Sequence, residues 1–132
     1  MIKQGYDLTG KPIPETDIKG CIRAVLSPVA KVYNVVTGTF KAKSGGTTRW
    51  ITTFPKGTPD LMGFRYSDHK IFFIEVKRER GVLSPEQEEF RLWALAEGLI
   101  YGVARSPEDA QLILSEKWNN DWDLIPVSKR GA

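Results

Sequence analysis

Cysteine and histidine are nearly missing from this chain: Cys21 and His69 are the only ones in 132 residues. One cysteine excludes an internal disulfide and any zinc site built from several thiolates, and one histidine excludes metal sites that need two from one chain. Long apolar runs are missing as well, since none approaches the ~20 residues that span a bilayer, so no membrane partner is expected. The opening MIKQGYDLTGKPIPE lacks the apolar segment of a signal peptide. Export is therefore not expected, and a reducing, cytoplasmic setting is.

Charge of one sign is scarce overall, with 19 Lys and Arg against 16 Asp and Glu for a net +3. That balance leans only slightly toward nucleic acid. Locally the acids vanish. From Thr39 to Thr58 the chain reads TFKAKSGGTTRWITTFPKGT, with Lys41, Lys43, Arg49 and Lys56, no acid, and Phe40, Trp50 and Phe54 interleaved. Such a stretch is either a hairpin whose lysines guard its edges or a surface that meets phosphates.

Residues 1–14 hold two glycines and two prolines and read as an arm. Thr16 is a candidate cap for a helix with Ile18, Cys21, Ile22, Val25 and Leu26 on its apolar face, stopped by Pro28. Val32–Phe40 reads as one strand, KSGG as a turn, and Thr47–Phe54 as a returning strand. Asp60–Tyr66 and Lys70–Lys77 are further strands around a turn that contains His69. Ser84, Pro85 and Gln87 announce a helix through an S-x-x-Q capping box, and Gly98 ends it. Leu99–Ala104 is a last strand, Ser106–Pro107 opens a final helix, and Phe90, Trp93 and Trp118 are expected in the core. In the tail after Asn119, Trp122, Leu124 and Ile125 are candidates to pack on the domain. The predicted order is α-β-β-β-β-α-β-α, an α/β fold with a mixed sheet flanked by helices. The helical crossover makes the strand ending at Lys77 and the one starting at Leu99 parallel neighbours.

Chemistry concentrates in KIFFIEVKRERG, Lys70–Gly81. Alternation places Ile71, Phe73, Glu75 and Lys77 on one strand face and Phe72, Ile74 and Val76 on the other. Burying an ionised carboxylate or ammonium is costly unless it is paired or holds a metal. If the strands on either side of His69 form an antiparallel hairpin, Asp60 lands beside Glu75 and Lys77. Two adjacent carboxylates favour a cation between them, and Mg²⁺ takes one or two carboxylates with water and phosphate oxygens. Lys77 is then placed to orient or deprotonate a water for attack on a phosphodiester. An isolated Glu-x-Lys is weak evidence; its apolar strand, the Asp at the head of the partner strand and the upstream basic segment strengthen it.

The motifs GTPD (Gly57–Asp60), FIEVK (Phe73–Lys77) and LSPEQ (Leu83–Gln87) together resemble the PD-(D/E)xK nuclease superfamily. Within it the chain resembles the VRR-NUC (virus-type replication-repair nuclease) family in its small stand-alone form, known from phages and other viruses, over roughly Glu15 to Ser115. The resemblance implies a restriction-endonuclease-like core, here residues 15–118, between the arm (1–14) and a C-terminal tail (119–132). It implies metal binding by Asp60, Glu75 and the backbone carbonyl of Val76, with Lys77 acting on the water and Gln87 as a further catalytic-site residue. Gln87 also has its capping-box role. An acid on the first helix is implied too: Glu15, with Asp17 as the alternate. Lys41, Lys43, Arg49, Lys56, Arg78 and Arg80 are the candidate DNA contacts, with Lys70 also placed near the site.

The expected activity is Mg²⁺- or Mn²⁺-dependent hydrolysis of DNA, on branched substrates such as four-way (Holliday) junctions in phage replication, repair or recombination. A homodimer is expected, and the cytoplasm of a bacterial host if the chain is phage-encoded. The rivals are a catalytically inactive DNA-binding protein of the same fold, an interaction module for an acidic partner, and a restriction- or flap-type nuclease.

Overall fold

Ile18, Ile22 and Leu26 recur every four residues and form the buried stripe of α1 (Glu15–Leu26) in the computed structural model, which describes residues 5–130. The first four residues of the expected arm and the last two of the tail lie outside the described residues. Thr16 is not the cap: Pro14 holds that position, no side chain caps the helix, and Glu15 and Asp17 in the first turn favour its positive end. Cys21, expected on the apolar face, is exposed, because the stripe is narrower than the five-residue pattern implied.

The Val32–Phe40 run, predicted as one strand, is two. β1 (Ala30–Asn34) ends where Val35 turns its N–H to the Asp60 carbonyl at 2.8 Å. Gly38, at φ +99°, then redirects the chain into β2 (Thr39–Ser44). β2 and β3 (Thr47–Thr52) form a two-stranded sheet of their own, closed by Gly45 and Gly46, both at positive φ as a tight hairpin turn requires. Among the described residues five strands thus precede the second helix where four were expected.

The main sheet runs β1-β4-β5-β6, with β4 (Leu61–Arg65), β5 (Ile71–Val76) and β6 (Ile100–Ala104). β4 is antiparallel to β1 and to β5, and β5–β6 is parallel across α2 (Pro85–Ala96). Phe72, Ile74 and Val76 pack with α1 and α3 (Pro107–Leu114) on one face, whereas Phe73 belongs to the smaller cluster under α2 with Phe90 and Tyr101. Trp93, expected in the core, is 50% exposed at the edge of that cluster. No helix among the described residues is long and apolar enough to cross a membrane.

Close approach of β1 and β4 depends on Gly63, where an added Cβ would sit 1.8 Å from the Lys31 carbonyl oxygen. Backbone cannot yield as a flexible side chain does, so Gly63→Ala is expected to cost about 3 kcal/mol or more, read as a lowered midpoint in urea denaturation.

The tail docks on the free edge of β6. Asn120 Nδ2 donates to the Tyr101 carbonyl at 2.9 Å, and Asp123 Oδ1 accepts from Val103 N–H at 2.9 Å. Two side chains thus take hydrogen bonds that a neighbouring strand would make. Asp123 is fully buried and also accepts from Arg91 Nε (3.0 Å), Trp118 Nε1 (2.7 Å) and Asn120 Nδ2 (2.9 Å). Trp122 is half-buried against Trp118, but Leu124, another expected tail contact, is 50% exposed.

Candidate active site

The register of β4 and β5 pairs Leu61 with Ile74, so the next pair outward is Asp60 with Glu75. Leu61 and Ile74 share the buried α1 face, which turns Asp60 and Glu75 to the α2 side. Asp60 Oδ2 accepts from Val76 N–H at 2.9 Å and is thereby fixed against the end of β5. The carbonyl of an extended residue faces the same edge as its N–H, so Val76 directs its carbonyl toward Asp60 as well.

Glu75 is 1% exposed. Gln87 Nε2 donates to its Oε1 at 3.2 Å. The same Gln87 closes the capping box, its Oε1 accepting from Ser84 N–H at 2.8 Å while its own N–H donates to Ser84 Oγ at 3.2 Å. The two roles read from the sequence as competitors are made by different atoms of one side chain. The cap holds the amide so that its nitrogen meets Glu75.

Burial pushes the Glu75 carboxyl up to about 10; the adjacent Asp60 adds to the rise, Lys77 opposes it and Glu15 adds a smaller push. With both groups ionised, Glu75 Oε2 is a buried oxygen without a hydrogen-bond partner. Such an oxygen is stable beside a proton or a cation. Among the described residues no three His, Cys, Asp or Glu side chains converge tightly enough to encircle a metal. The donor set is two carboxylates and a carbonyl, which suits an ion that keeps most of its waters.

Lys77 is half-buried and lines a cleft of about 420 Å³ with Asp60, Gln87, Lys56 and Thr58. Gly57, at φ +98°, forms the cleft's tight wall: a Cβ there would lie 2.5 Å from the Glu86 carbonyl oxygen. The sequence motif GTPD begins at this glycine. The structure adds the reason for a glycine three residues before Asp60, where the loop presses on the start of α2.

Glu15 opens α1 on the opposite face of the sheet and reaches Glu75 through its charge. Asp17, two residues on, points about 200° away around the helix. Arg78 and Arg80 are exposed on the loop just beyond Lys77. Lys70, expected near the site, begins the other end of β5, about 16 Å from Glu75 along the strand. It was close in sequence, but the strand carries it away.

The basic segment divides. Lys41 pairs with Trp50 and Lys43 with Thr48 across the hairpin, which puts both lysines and the tryptophan on one face. Arg49 pairs with Ala42 on the other face, beside Phe40 and Ile51. Lys56, at the hairpin's root, lies 3.8 Å from Glu86 in an exposed ion pair.

Residues 46–107 match the family model of the VRR-NUC domain, a span that holds Asp60, Glu75, Lys77 and Gln87 but neither Glu15 nor β2. No curated protein and no solved structure gives a significant match to the chain. The sheet edge, the paired carboxylates and the matched span agree: residues 46–107 are similar to the VRR-NUC domain, a likeness that points to a nuclease of the PD-(D/E)xK type.

Proposed function

We propose that this chain is a divalent-metal-dependent DNA endonuclease that acts on branched DNA, four-way junctions included, as a homodimer in phage-type replication, repair or recombination. The observation that carries the reading is the buried, unpartnered Glu75 Oε2 on the strand end next to Asp60, which lines the cleft with Lys77. Asp60, Glu75 and the Val76 carbonyl are the groups that would hold Mg²⁺ or Mn²⁺. A bound Mg²⁺ supplies Lewis-acid stabilisation of charge on a phosphate oxygen and acidifies water. Gln87 keeps the Glu75 carboxyl aimed, and Lys77 orients the attacking water or takes its proton. Glu15 adds negative field from the end of α1. Lys41, Lys43, Lys56, Arg78 and Arg80 meet phosphates around the cleft, with Arg49 approaching from the hairpin's far side. A homodimer fits because one site cuts one strand, and a two-fold junction needs two cuts.

The experiment is cleavage of labelled junction, flap, duplex and single-stranded DNA with Mg²⁺ and with EDTA. Mg²⁺-dependent cutting, fastest on the junction, is expected, and Lys77→Ala should slow it ~10²- to 10⁴-fold at unchanged DNA affinity. Binding without cutting by the unaltered chain would instead identify an inactive DNA-binding protein. Full-rate cutting by Lys77→Ala would remove this lysine from the chemistry.

A further inference from the structure

Among the described residues the β2–β3 hairpin has no layer of its own to pack against. It forms a separate two-stranded sheet, and β3 is exposed along its whole length. A lone hairpin is at best marginally stable in water. This one is secured at its root, where Gly38 N–H donates to the Phe54 carbonyl and Thr53 gives both N–H and Oγ1 to the Gly38 carbonyl at 3.0 and 2.8 Å. Thr37 and Lys56, beside that root, line the catalytic cleft. The arm therefore springs from the rim of the site.

Its two faces differ. Phe40, Ala42, Arg49 and Ile51 share one. On the other, Trp50 is 67% exposed with the Lys41 ammonium 5.0 Å from its ring centroid, and Lys43 and Thr48 extend the surface toward the tip. No acid lies between Thr39 and Thr58 to repel a phosphate. Lysines alone would serve any duplex. An indole open to solvent adds something a closed duplex cannot use, because paired bases already have their faces stacked.

We propose that the Lys41–Lys43–Trp50 face of the hairpin binds an unpaired stretch of the DNA substrate, with the Trp50 indole stacking on an exposed base while the two lysines meet the flanking phosphates. This rests on the nuclease reading and narrows it: among branched DNAs, those with unpaired bases at or beside the branch point are preferred over the same branch fully paired. Trp50 stands three residues beyond the root, about 10 Å along the strand. That corresponds to about three steps of a stacked strand at ~3.4 Å each. The stacked base thus lies about three nucleotide steps beyond the rim of the cleft.

The test uses the full chain in EDTA, so that nothing is cut, with two fluorescent DNAs read by anisotropy at about 50 mM salt. One is a continuous duplex; the other is the same duplex interrupted by a short run of unpaired thymidines. Trp50→Ala is expected to weaken binding of the interrupted DNA ~5- to 100-fold and of the duplex less than about twofold. Trp50→Phe should retain most of the preference, since a smaller ring still stacks. Lys41→Ala combined with Lys43→Ala should weaken both DNAs and make binding less steep in salt. Equal loss on both DNAs, or no loss, with Trp50→Ala overturns the stacking. So does a changed sedimentation coefficient with unchanged DNA affinity, which would make this face a protein contact. Failure of the unaltered chain to bind either DNA would overturn the nuclease reading too, whereas Mg²⁺-dependent cutting with an unaltered preference in Trp50→Ala would overturn the stacking alone.

Discussion

Glu75→Gln is expected to abolish Mg²⁺-dependent cutting and, in EDTA, to melt at a higher temperature than the unaltered protein. The first effect follows from losing a metal-binding carboxylate, worth several kcal/mol of charge stabilisation or ~10³-fold or more in rate. The second follows from burial. The Glu75 carboxyl titrates near 10 in the folded chain against an ordinary 4.5, so the folded state keeps a proton that the unfolded state releases. Glu75's contribution to stability is therefore fullest below pH 4.5, falls as pH rises, and is fully lost by about pH 10. At pH 7 that loss amounts to about 3 kcal/mol, which a neutral amide of the same shape escapes. Melting curves in EDTA from pH 6 to pH 9 provide the check. The unaltered protein should lose stability across this range more steeply than the variant. A variant that melts lower, with the same pH slope, would show that Glu75 carries no such burden. Metal binding must expel the same proton, so apparent Mg²⁺ affinity should rise as much as ~10-fold per pH unit in calorimetric titration.

Asp123→Ala should be the most damaging change away from the cleft. Its carboxylate is fully buried and accepts from Arg91, Trp118, Asn120 and the Val103 N–H. Truncation strands a guanidinium that is itself buried, together with the Trp118 and Val103 donors. Breaking one side of such a pair costs ~3–5 kcal/mol, against a total domain stability of about 5–15 kcal/mol. A drop of ~10–20 °C in melting temperature is expected. Asp123→Asn, which keeps an acceptor and loses the charge, should fall between the two. A melting temperature within about 2 °C of the unaltered protein for Asp123→Ala would show that the network does not hold the tail.

What could be read in the residues alone was whatever local rules decide. The α1 stripe, the Ser84–Gln87 box, the Gly98 stop and the alternation in β5 each depend on neighbours within a turn or two. The Asp60–Glu75 juxtaposition was also legible, because a short turn leaves an antiparallel pair little choice of partner. The break at Val35–Gly38 was not: Val35 and Val36 inside it have the same strand preference as Val32 before it, and Asp60 and Phe54 decide where the chain leaves the sheet. Nor was the weight of Asp123. An aspartate in a polar tail looks like solvent-facing charge until Arg91, 32 positions earlier, is brought to it. Lys70 failed for the opposite reason, since closeness in sequence is closeness in space only when the chain does not run extended. Trp93 and Cys21 obeyed the helical period yet stayed at the water boundary, because the period gives a direction and the partner layer sets how far burial spreads.

The docked tail also makes the sheet lopsided toward the outside world. With Asn120 and Asp123 occupying the Tyr101 and Val103 backbone groups, nothing extended can add itself alongside β6 without first displacing them. The opposite margin, β1, pairs only with β4 among the described strands and carries Lys31 and Tyr33 exposed to water. Within the main sheet, growth by strand addition has a single point of entry, and two copies that meet there leave that sheet no second margin to extend.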